Sequence, residues 1–168
     1  MPDPEHLVHL QFRRFAGCPI CHLHLRSVVL RNAEIEAAGV REVVVFHSPV
    51  EELRPHVEDL PFPVVADPAK RLYAEFGVES SYRSLLSPRG LPRVLRAIGV
   101  GGLEMLRGRA RPPVLLPGGG RFGLPADFLI TPGGRVVARK YGEHADDQWT
   151  VDQLLVLAGD VRGVSAHE

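Results

Sequence analysis

The stretch that decides the fold runs LVHLQFRRFAGCPIC, from Leu7 to Cys21. It opens with a strand-like run, Leu7 to Phe12, and it ends on the two cysteines, which are the only ones in the 168-residue chain. Pro19 suits the first turn of a helix, because its missing N–H would have no partner there. The pattern therefore predicts a buried strand followed by a helix that begins at the cysteines.

The motif Cys18-Pro19-Ile20-Cys21 is typical of redox chemistry. Unpaired backbone N–H groups and the positive end of the helix dipole favour a thiolate at a helix start. Only the thiolate is a nucleophile, and such positions lower a cysteine pKa from about 8.5 to roughly 3.5–7.5. The second thiol lies one helical turn away and can attack a mixed disulfide formed by the first. Two small buried hydrophobic residues are the structural alternative.

Strand-like and helix-like patterns alternate along the chain. A helical pattern spans 19–38, an apolar strand 43–46, a second helix starts at 48–49, a short strand covers 63–65, and a third helix follows Asp67. This order implies parallel strands joined by right-handed crossovers. Segments 127–130 and 135–138 then form a hairpin, and a last helix follows Thr150. We predict an α/β fold, a mixed sheet with flanking helices in a single domain over 1–168, with a frayed tail at 162–168.

The segment 84–123 interrupts this alternation. It is rich in Gly and Pro, and it holds seven arginines and one glutamate, a charge of +6 in a chain of zero formal net charge. Four apolar residues in it have the spacing of an amphipathic helix, namely Leu91, Val94, Leu95 and Ile98. We predict an arginine-rich helical insertion before the C-terminal hairpin, which covers the thiols or forms a docking face beside them.

Composition and charge predict the cellular compartment of the protein and the partners that it lacks. The chain has 20 Lys and Arg against 20 Asp and Glu, so no overall charge recruits nucleic acid or membrane. Its first residues are polar and acidic, unlike a signal peptide, and no apolar run approaches the roughly 20 residues of a membrane helix. We expect a cytoplasmic protein without nucleic-acid or membrane partners, in which neighbouring cysteines are catalytic rather than structural.

Four stretches of the chain resemble one known family. They are FAGCPIC at 15–21, FPVVADP at 62–68, LYAEFGV at 72–78 and LPADFLITPGG at 124–134. In this order and spacing they resemble the peroxiredoxin-like branch of the alkyl hydroperoxide reductase/thiol-specific antioxidant (AhpC/TSA) family. The resemblance frames residues 7–158 and implies a thioredoxin-like fold.

The resemblance also implies catalytic roles. Cys18 would be the attacking thiolate and Cys21 the resolving thiol, and Pro125 occupies the position of a cis-proline that faces the active-site disulfide in thioredoxin-like proteins. Typical peroxiredoxins carry Thr or Ser three residues before the attacking cysteine and an arginine on the later strand. Here position 15 is Phe15, and the strand at 127–130 has no arginine. These departures favour dithiol exchange over peroxide reduction.

Three further residues are supporting candidates. Arg14, like Arg13 and Arg26, is close enough in sequence to the cysteines to replace the missing arginine. His22 adjoins the cysteine pair, where a basic group would tune the thiol pKa. Asp127 could accept a proton from the resolving thiol, and a hydrogen-bonded aspartate at a strand end is an equally good interpretation. His47 follows a strand at the sheet edge where ligands often bind, but we expect a loop histidine rather than a base.

Two cofactor-binding patterns overlap the cysteine pair. The run CPICH matches the C-x-x-C-H pattern of c-type haem attachment, which needs export. Potential metal ligands are Cys18, Cys21, His22, His24, His6 and His9. A structural zinc site typically takes ligands from two separated segments, whereas these lie at one corner between a strand and a helix. We therefore expect no cofactor, and a Cys/His metal-binding domain remains an alternative.

The sequence thus predicts an oxidoreductase that cycles Cys18 and Cys21 between dithiol and disulfide, in an antioxidant role. Its substrate would be a peroxide or a protein disulfide, and its electron donor a thioredoxin-like protein or a low-molecular-weight thiol. A redox-sensing or binding module switched by the Cys18–Cys21 disulfide is the alternative from another class. The oligomeric state stays open, with a homodimer among the options.

Overall fold

The strand that leads to the cysteines, β1 (Leu7–Arg13), lies at the centre of the sheet. The computed structural model describes residues 3–78, 99, 103, 107, 124–144 and 146–165. The predicted insertion at 84–123 therefore lies outside the described residues, apart from Gly99, Leu103 and Arg107.

Within the described residues, five strands form one mixed sheet. The other four are β2 (Val40–Phe46), β3 (Val64–Ala66), β4 (Ala126–Ile130) and β5 (Val136–Tyr141), and the order is β3-β2-β1-β4-β5. The first three strands are parallel, while β4 runs antiparallel to both β1 and β5. The predicted α/β fold with parallel crossovers and a closing hairpin is confirmed.

The helices flank this sheet, and one of them differs from the prediction. They are α1 (Pro19–Leu30), α2 (Asn32–Ala37), α3 (Val50–Val57), α4 (Arg71–Glu75) and α5 (Val151–Ser165). The single helix expected over 19–38 is two helices, because Arg31 leaves the helical conformation with φ −114° and ψ 17°. The Arg31 guanidinium donates to Glu34 on α2 and, at 2.6 Å, to Asp152 on α5.

Side-chain caps explain where two helices begin. The Asp67 carboxylate accepts the backbone N–H groups of Arg71 at 3.0 Å and Leu72 at 2.8 Å, which starts α4. The Thr150 hydroxyl accepts the Gln153 N–H at 3.2 Å, and the Gln153 side chain accepts the Thr150 N–H at 3.0 Å. This reciprocal pair is a capping box, which satisfies two backbone donors at the start of α5.

The last helix, α5, continues to Ser165, and the fraying expected over 162–168 stays a prediction. The Arg162 guanidinium lies against Gly39, where a β-carbon would clash with it. Gly39 has a positive φ of 63°, a conformation that glycine adopts without steric cost. This contact holds the Arg162 side chain against the residue that precedes β2.

The two faces of β1 differ in character. Leu10 and Phe12 pack in an aromatic cluster with Tyr73 and Phe128. The other face packs on α1 and α5 and carries Leu7 with three buried polar residues, His9, Gln11 and Arg13. Both cysteines belong to the core on this second face, so the dithiol and the polar row share one side of the sheet.

Candidate active site

A tight turn carries the chain from β1 into α1 and places Cys18 at the helix start. Gly17 has a positive φ of 71° in this turn. The Cys18 N–H donates to the Phe15 carbonyl at 3.2 Å, and the Ala16 N–H donates to the Ser48 hydroxyl at 2.9 Å. The turn is thus fixed both internally and to the segment that follows β2.

Both thiols are free and buried. Cys18 is 2% exposed and Cys21 is 3% exposed. Although Cys18 stands at a helix start, it is not exposed there, because the turn is bonded to the segment that follows β2 and the cysteine joins the core around α1. A reactant must be small enough to reach the sulfur, or the turn must open.

The two thiols differ in acidity. Burial raises the pKa of Cys18, but a hydrogen bond from Cys21, the positive charge of Arg14 and backbone N–H groups of the helix start outweigh it and lower that pKa to about 6. The hydrogen bond with Cys18 and burial both raise the pKa of Cys21 well above its ordinary value. The site therefore holds a thiolate at Cys18 and a protonated thiol at Cys21 near neutral pH.

Arg14 is the charged residue that contacts the dithiol. Its Nη1 atom lies 3.7 Å from the Cys18 sulfur, and its side chain is buried beside the Phe15 ring, with the guanidinium carbon 5.4 Å from the ring centroid. Its backbone N–H also bonds the Cys21 sulfur. Of the three arginines considered from sequence, Arg14 is the one the structure brings to the thiols.

Replacing this guanidinium should weaken the thiolate. In Arg14→Met the pKa of Cys18 is expected to rise toward its ordinary range, because a hydrogen bond to a charged group contributes about 1.5–3 kcal/mol. Alkylation of Cys18 at neutral pH should then slow about tenfold, since only the thiolate reacts. The pH dependence of the alkylation rate measures the change. Arg26→Met is the matched control, because Arg26 is exposed on α1; equal effects of the two substitutions would contradict the assignment.

The other nearby arginine belongs to a buried polar network. Arg13 donates to the Asp127 carboxylate at 3.0 Å and to the Gln11 side-chain oxygen. Glu42 on β2 pairs with the His9 Nδ1 atom at 2.9 Å and accepts from Gln11. Two carboxylates thus face a guanidinium and an imidazole on three adjacent strands.

Asp127 is fully engaged in this network. It accepts the Trp149 backbone N–H at 2.9 Å in addition to Arg13, and it lies 3.4 Å from the His9 Nε2 atom. Burial raises the pKa of Asp127, but the Arg13 charge and His9 outweigh it and hold the pKa far below its usual range. A carboxylate held ionised in this way is a poor proton acceptor, so the geometry favours the hydrogen-bonded strand aspartate over the proton-transfer role.

His22 and Pro125 were also site candidates. The His22 side chain is exposed on α1, one residue after Cys21, so its effect on the thiols stays a prediction. All peptide bonds of the described residues are trans, that before Pro125 included, and a catalytic role of Pro125 stays a prediction. Its carbonyl accepts the Gly142 N–H at 2.8 Å, which ties it to the end of β5.

Sequence reasoning missed two residues that hold the end of the sheet. The Tyr73 hydroxyl donates to the Val45 carbonyl at 3.0 Å and bonds the Arg13 carbonyl, and Ser48 anchors the turn before Cys18. The only sequence signal for Tyr73 was its place in the LYAEFGV stretch. Ser48 was interpreted as part of a helix start.

Neither a metal cluster nor a membrane-spanning helix occurs in the described part of the chain. Its residues include no group of three or more His, Cys, Asp or Glu side chains arranged to hold a metal ion. The described helices are all too short or too polar to cross a membrane.

Comparison with solved structures places the fold among peroxiredoxins. The chain is similar to peroxiredoxin 6 of Arenicola marina (a cysteine-to-serine mutant), with 14% identity, a TM-score of 0.67, and coverage of 95% of this chain and 63% of that one. Peroxidoxin BcpB from Mycobacterium tuberculosis has 17% identity, a TM-score of 0.64, and coverage of 94% and 81%. Xanthomonas campestris peroxiredoxin Q has 16% identity, a TM-score of 0.59, and coverage of 93% and 79%. The chain thus spans under two thirds of the Arenicola protein.

Sequence comparison identifies the family. No curated protein matches the chain. The family profile described as AhpC/TSA antioxidant enzyme matches residues 28–144, well over half of the chain. This match begins after Cys21, so it rests on the body of the fold rather than on the cysteine pair. The chain belongs to the AhpC/TSA antioxidant enzyme family.

Proposed function

We propose that this protein reduces small hydroperoxides with Cys18 as the attacking thiolate and Cys21 as the resolving thiol. The Cys18 thiolate attacks the terminal peroxide oxygen, so that an S–O bond forms, the O–O bond breaks, and the leaving oxygen takes up a proton from water. The sulfur is oxidised to a sulfenic acid and the peroxide is reduced to an alcohol or water. Membership of the AhpC/TSA family implies thiol-based peroxide reduction.

The observation that carries the proposal is the contact between Arg14 and Cys18. The guanidinium lies 3.7 Å from the sulfur in a buried site, where charges act more strongly than in water. It stabilises the attacking thiolate and is placed to stabilise the negative charge that develops on the leaving oxygen. Arg14 thereby supplies the positive charge that the strand at 127–130 lacks.

The second step uses Cys21. While Cys18 is a thiolate, their hydrogen bond and its charge keep the Cys21 thiol protonated. Oxidation of Cys18 removes that negative charge, so the pKa of Cys21 falls and its sulfur can attack the sulfenic acid. Water leaves, the Cys18–Cys21 disulfide forms, and an external thiol supplies the two electrons that restore the dithiol. A thioredoxin-like protein or a low-molecular-weight thiol has the required chemistry.

Dithiol exchange with a protein disulfide is the second candidate. The neighbouring cysteines and the absence of Thr or Ser at position 15 favour it on sequence grounds. Two structural observations instead support a faster reaction with peroxide. Both sulfurs are at most 3% exposed, which hinders the approach of a bulky protein disulfide. Arg14 also supplies a positive charge that activates the thiolate. Peroxide reduction is therefore the function we expect to dominate.

A turnover assay with a peroxide and with a protein disulfide tests which of the two reactions is faster. We expect oxidation by hydrogen peroxide to be several orders of magnitude faster than that of a free thiol, while reduction of insulin disulfides stays near the uncatalysed rate. The reverse result would favour dithiol exchange. Stoichiometric formation of the Cys18–Cys21 disulfide without turnover by any thiol donor would instead support a redox-sensing module.

A further inference from the structure

His47 is a buried polar side chain that has no role in the reaction proposed above. It directly follows β2 and is 0% exposed. Among the described residues, neither of its ring nitrogens has a hydrogen-bond partner. A neutral imidazole carries one donor and one acceptor nitrogen, and leaving a buried polar group unpaired costs about 1–3 kcal/mol. Such a ring is suited to pair with a ligand.

The surrounding structure fixes the position of this ring. The His47 and Tyr73 rings meet edge to face, with centroids 5.6 Å apart. Tyr73 is itself anchored, because its hydroxyl donates to the Val45 carbonyl at 3.0 Å. The His47 backbone N–H donates to the Arg14 carbonyl at 3.4 Å. The ring therefore packs on Tyr73 of α4, while the His47 backbone is tied to the turn that leads to Cys18.

The register of the sheet explains this proximity. Arg13 at the end of β1 pairs with Phe46 at the end of β2, so the next residues, Arg14 and His47, leave neighbouring parallel strands side by side. The Arg14 side chain continues to the Cys18 sulfur. Ligands of open α/β sheets bind beyond the carboxyl ends of the strands, which is where these residues lie.

The electrostatic surroundings keep the ring neutral. Burial and the charges of Lys70 and Arg14 lower the pKa of His47 to about 4, because together they outweigh the residue's own backbone and Asp67, which raise it. At neutral pH the ring therefore keeps an unprotonated nitrogen, which can accept a hydrogen bond. An imidazolium could only donate.

We propose that His47 is a substrate-binding residue for hydroperoxides, whose unprotonated ring nitrogen accepts the hydrogen bond of the terminal O–H that Cys18 attacks. This proposal rests on the proposed function and adds a preference for substrates that carry an O–H group. Hydrogen peroxide and alkyl hydroperoxides carry the required O–H group. Disulfides and alkylating agents do not, so His47 contributes to their reaction with Cys18 only through packing.

The test compares two reactions of the same sulfur. Single-turnover oxidation by hydrogen peroxide and alkylation by iodomethane, which carries no N–H or O–H donor, are measured for the wild type, His47→Phe and His47→Gln. His47→Phe retains an aromatic ring against Tyr73 and removes both unpaired nitrogens, so its thermal midpoint should not fall. We expect oxidation to slow about ten- to a hundredfold, with alkylation within about twofold of the wild type. The amide oxygen of His47→Gln can accept a hydrogen bond, so its oxidation rate should lie between those of the wild type and His47→Phe.

A matched control is available in His24, which also has a buried ring nitrogen without a partner among the described residues. His24→Phe should leave the ratio of the two rates unchanged. If His47→Phe slows both reactions equally, or slows neither, His47 does not bind the peroxide. If His47→Phe does not fold, an unchanged oxidation rate in His47→Leu, which carries no hydrogen-bonding group, would equally overturn the proposal. If the wild type itself reacts with peroxide no faster than a free thiol, the proposed function fails instead.

Discussion

Replacing Cys18 with serine is expected to lower the rate of peroxide consumption roughly a thousandfold or more, because a hydroxyl group cannot replace the thiolate nucleophile. Cys18 is the thiol whose pKa is lowered, to about 6, and the thiol that Arg14 contacts. The neighbouring thiol stays protonated. The rate is measured as peroxide loss with a thiol donor in excess.

Cys21→Ser should behave differently. Its first turnover is expected to proceed at near the wild-type rate and to leave one sulfenic acid per chain, since the resolving sulfur is absent. Mass spectrometry after trapping with a sulfenic-acid reagent counts this product. Alkylation of the wild type at mildly acidic pH should likewise label Cys18 first. Preferential labelling of Cys21, or a fully active Cys18→Ser, would reverse the two roles.

The order of elements could be predicted from sequence because each one has a local signal. β1 alternates apolar with polar residues, β2 ends in the apolar run 43–46, α4 is preceded by its cap Asp67, and the hairpin contains a Gly-rich turn. The break at Arg31 has no such signal, since no glycine or proline interrupts the helical pattern there. Arg31 bonds Asp152, which lies 121 residues later. An interaction over that distance in sequence cannot be inferred from local periodicity.

The site was predictable to a similar degree. The cysteine pair and its helix start are local features, and both were predicted from sequence. Which of Arg13, Arg14 and Arg26 contacts the thiols depends on where β1 ends. Arg13 is the last residue of the strand and bonds Asp127, whereas Arg14 lies in the turn and contacts Cys18. The burial of Cys18 and of His47 depends on contacts between segments that follow different strands, which spacing alone does not reveal.

The buried network beneath α1 carries the largest expected effect on stability. Asp127 is 0% exposed, and it pairs with Arg13 at 3.0 Å and His9 at 3.4 Å. In Asp127→Asn, His9 keeps its pairing with Glu42, while Arg13 loses the carboxylate with which it pairs. Removing one member of a buried ion pair typically costs about 3–5 kcal/mol, a large part of the about 5–15 kcal/mol that stabilises a domain. Chemical denaturation measures the loss in the free energy of unfolding.

An exposed carboxylate provides the matched control. Asp152 also pairs with an arginine, with 2.6 Å between its Oδ1 atom and the Arg31 Nη1 atom, but its side chain is 80% exposed. Surface pairs of this kind contribute little because water screens them. Asp152→Asn should therefore leave the free energy of unfolding nearly unchanged. Equal losses in the two variants would contradict a special role for the buried network.

The pH dependence of the unfolding free energy distinguishes the contribution of the Asp127 charge from that of its packing. Burial lowers the pKa of His9, but Glu42 and Asp127 outweigh it and raise that pKa to about 9, above the ordinary 6.5. A raised folded-state pKa stabilises the fold fully below 6.5, and this contribution is lost as the pH rises through about 9. In Asp127→Asn the pKa of His9 falls, so the difference in unfolding free energy from wild type should be larger below pH 6.5 than above pH 9. A difference independent of pH would mean that Asp127 acts through its backbone and packing contacts alone.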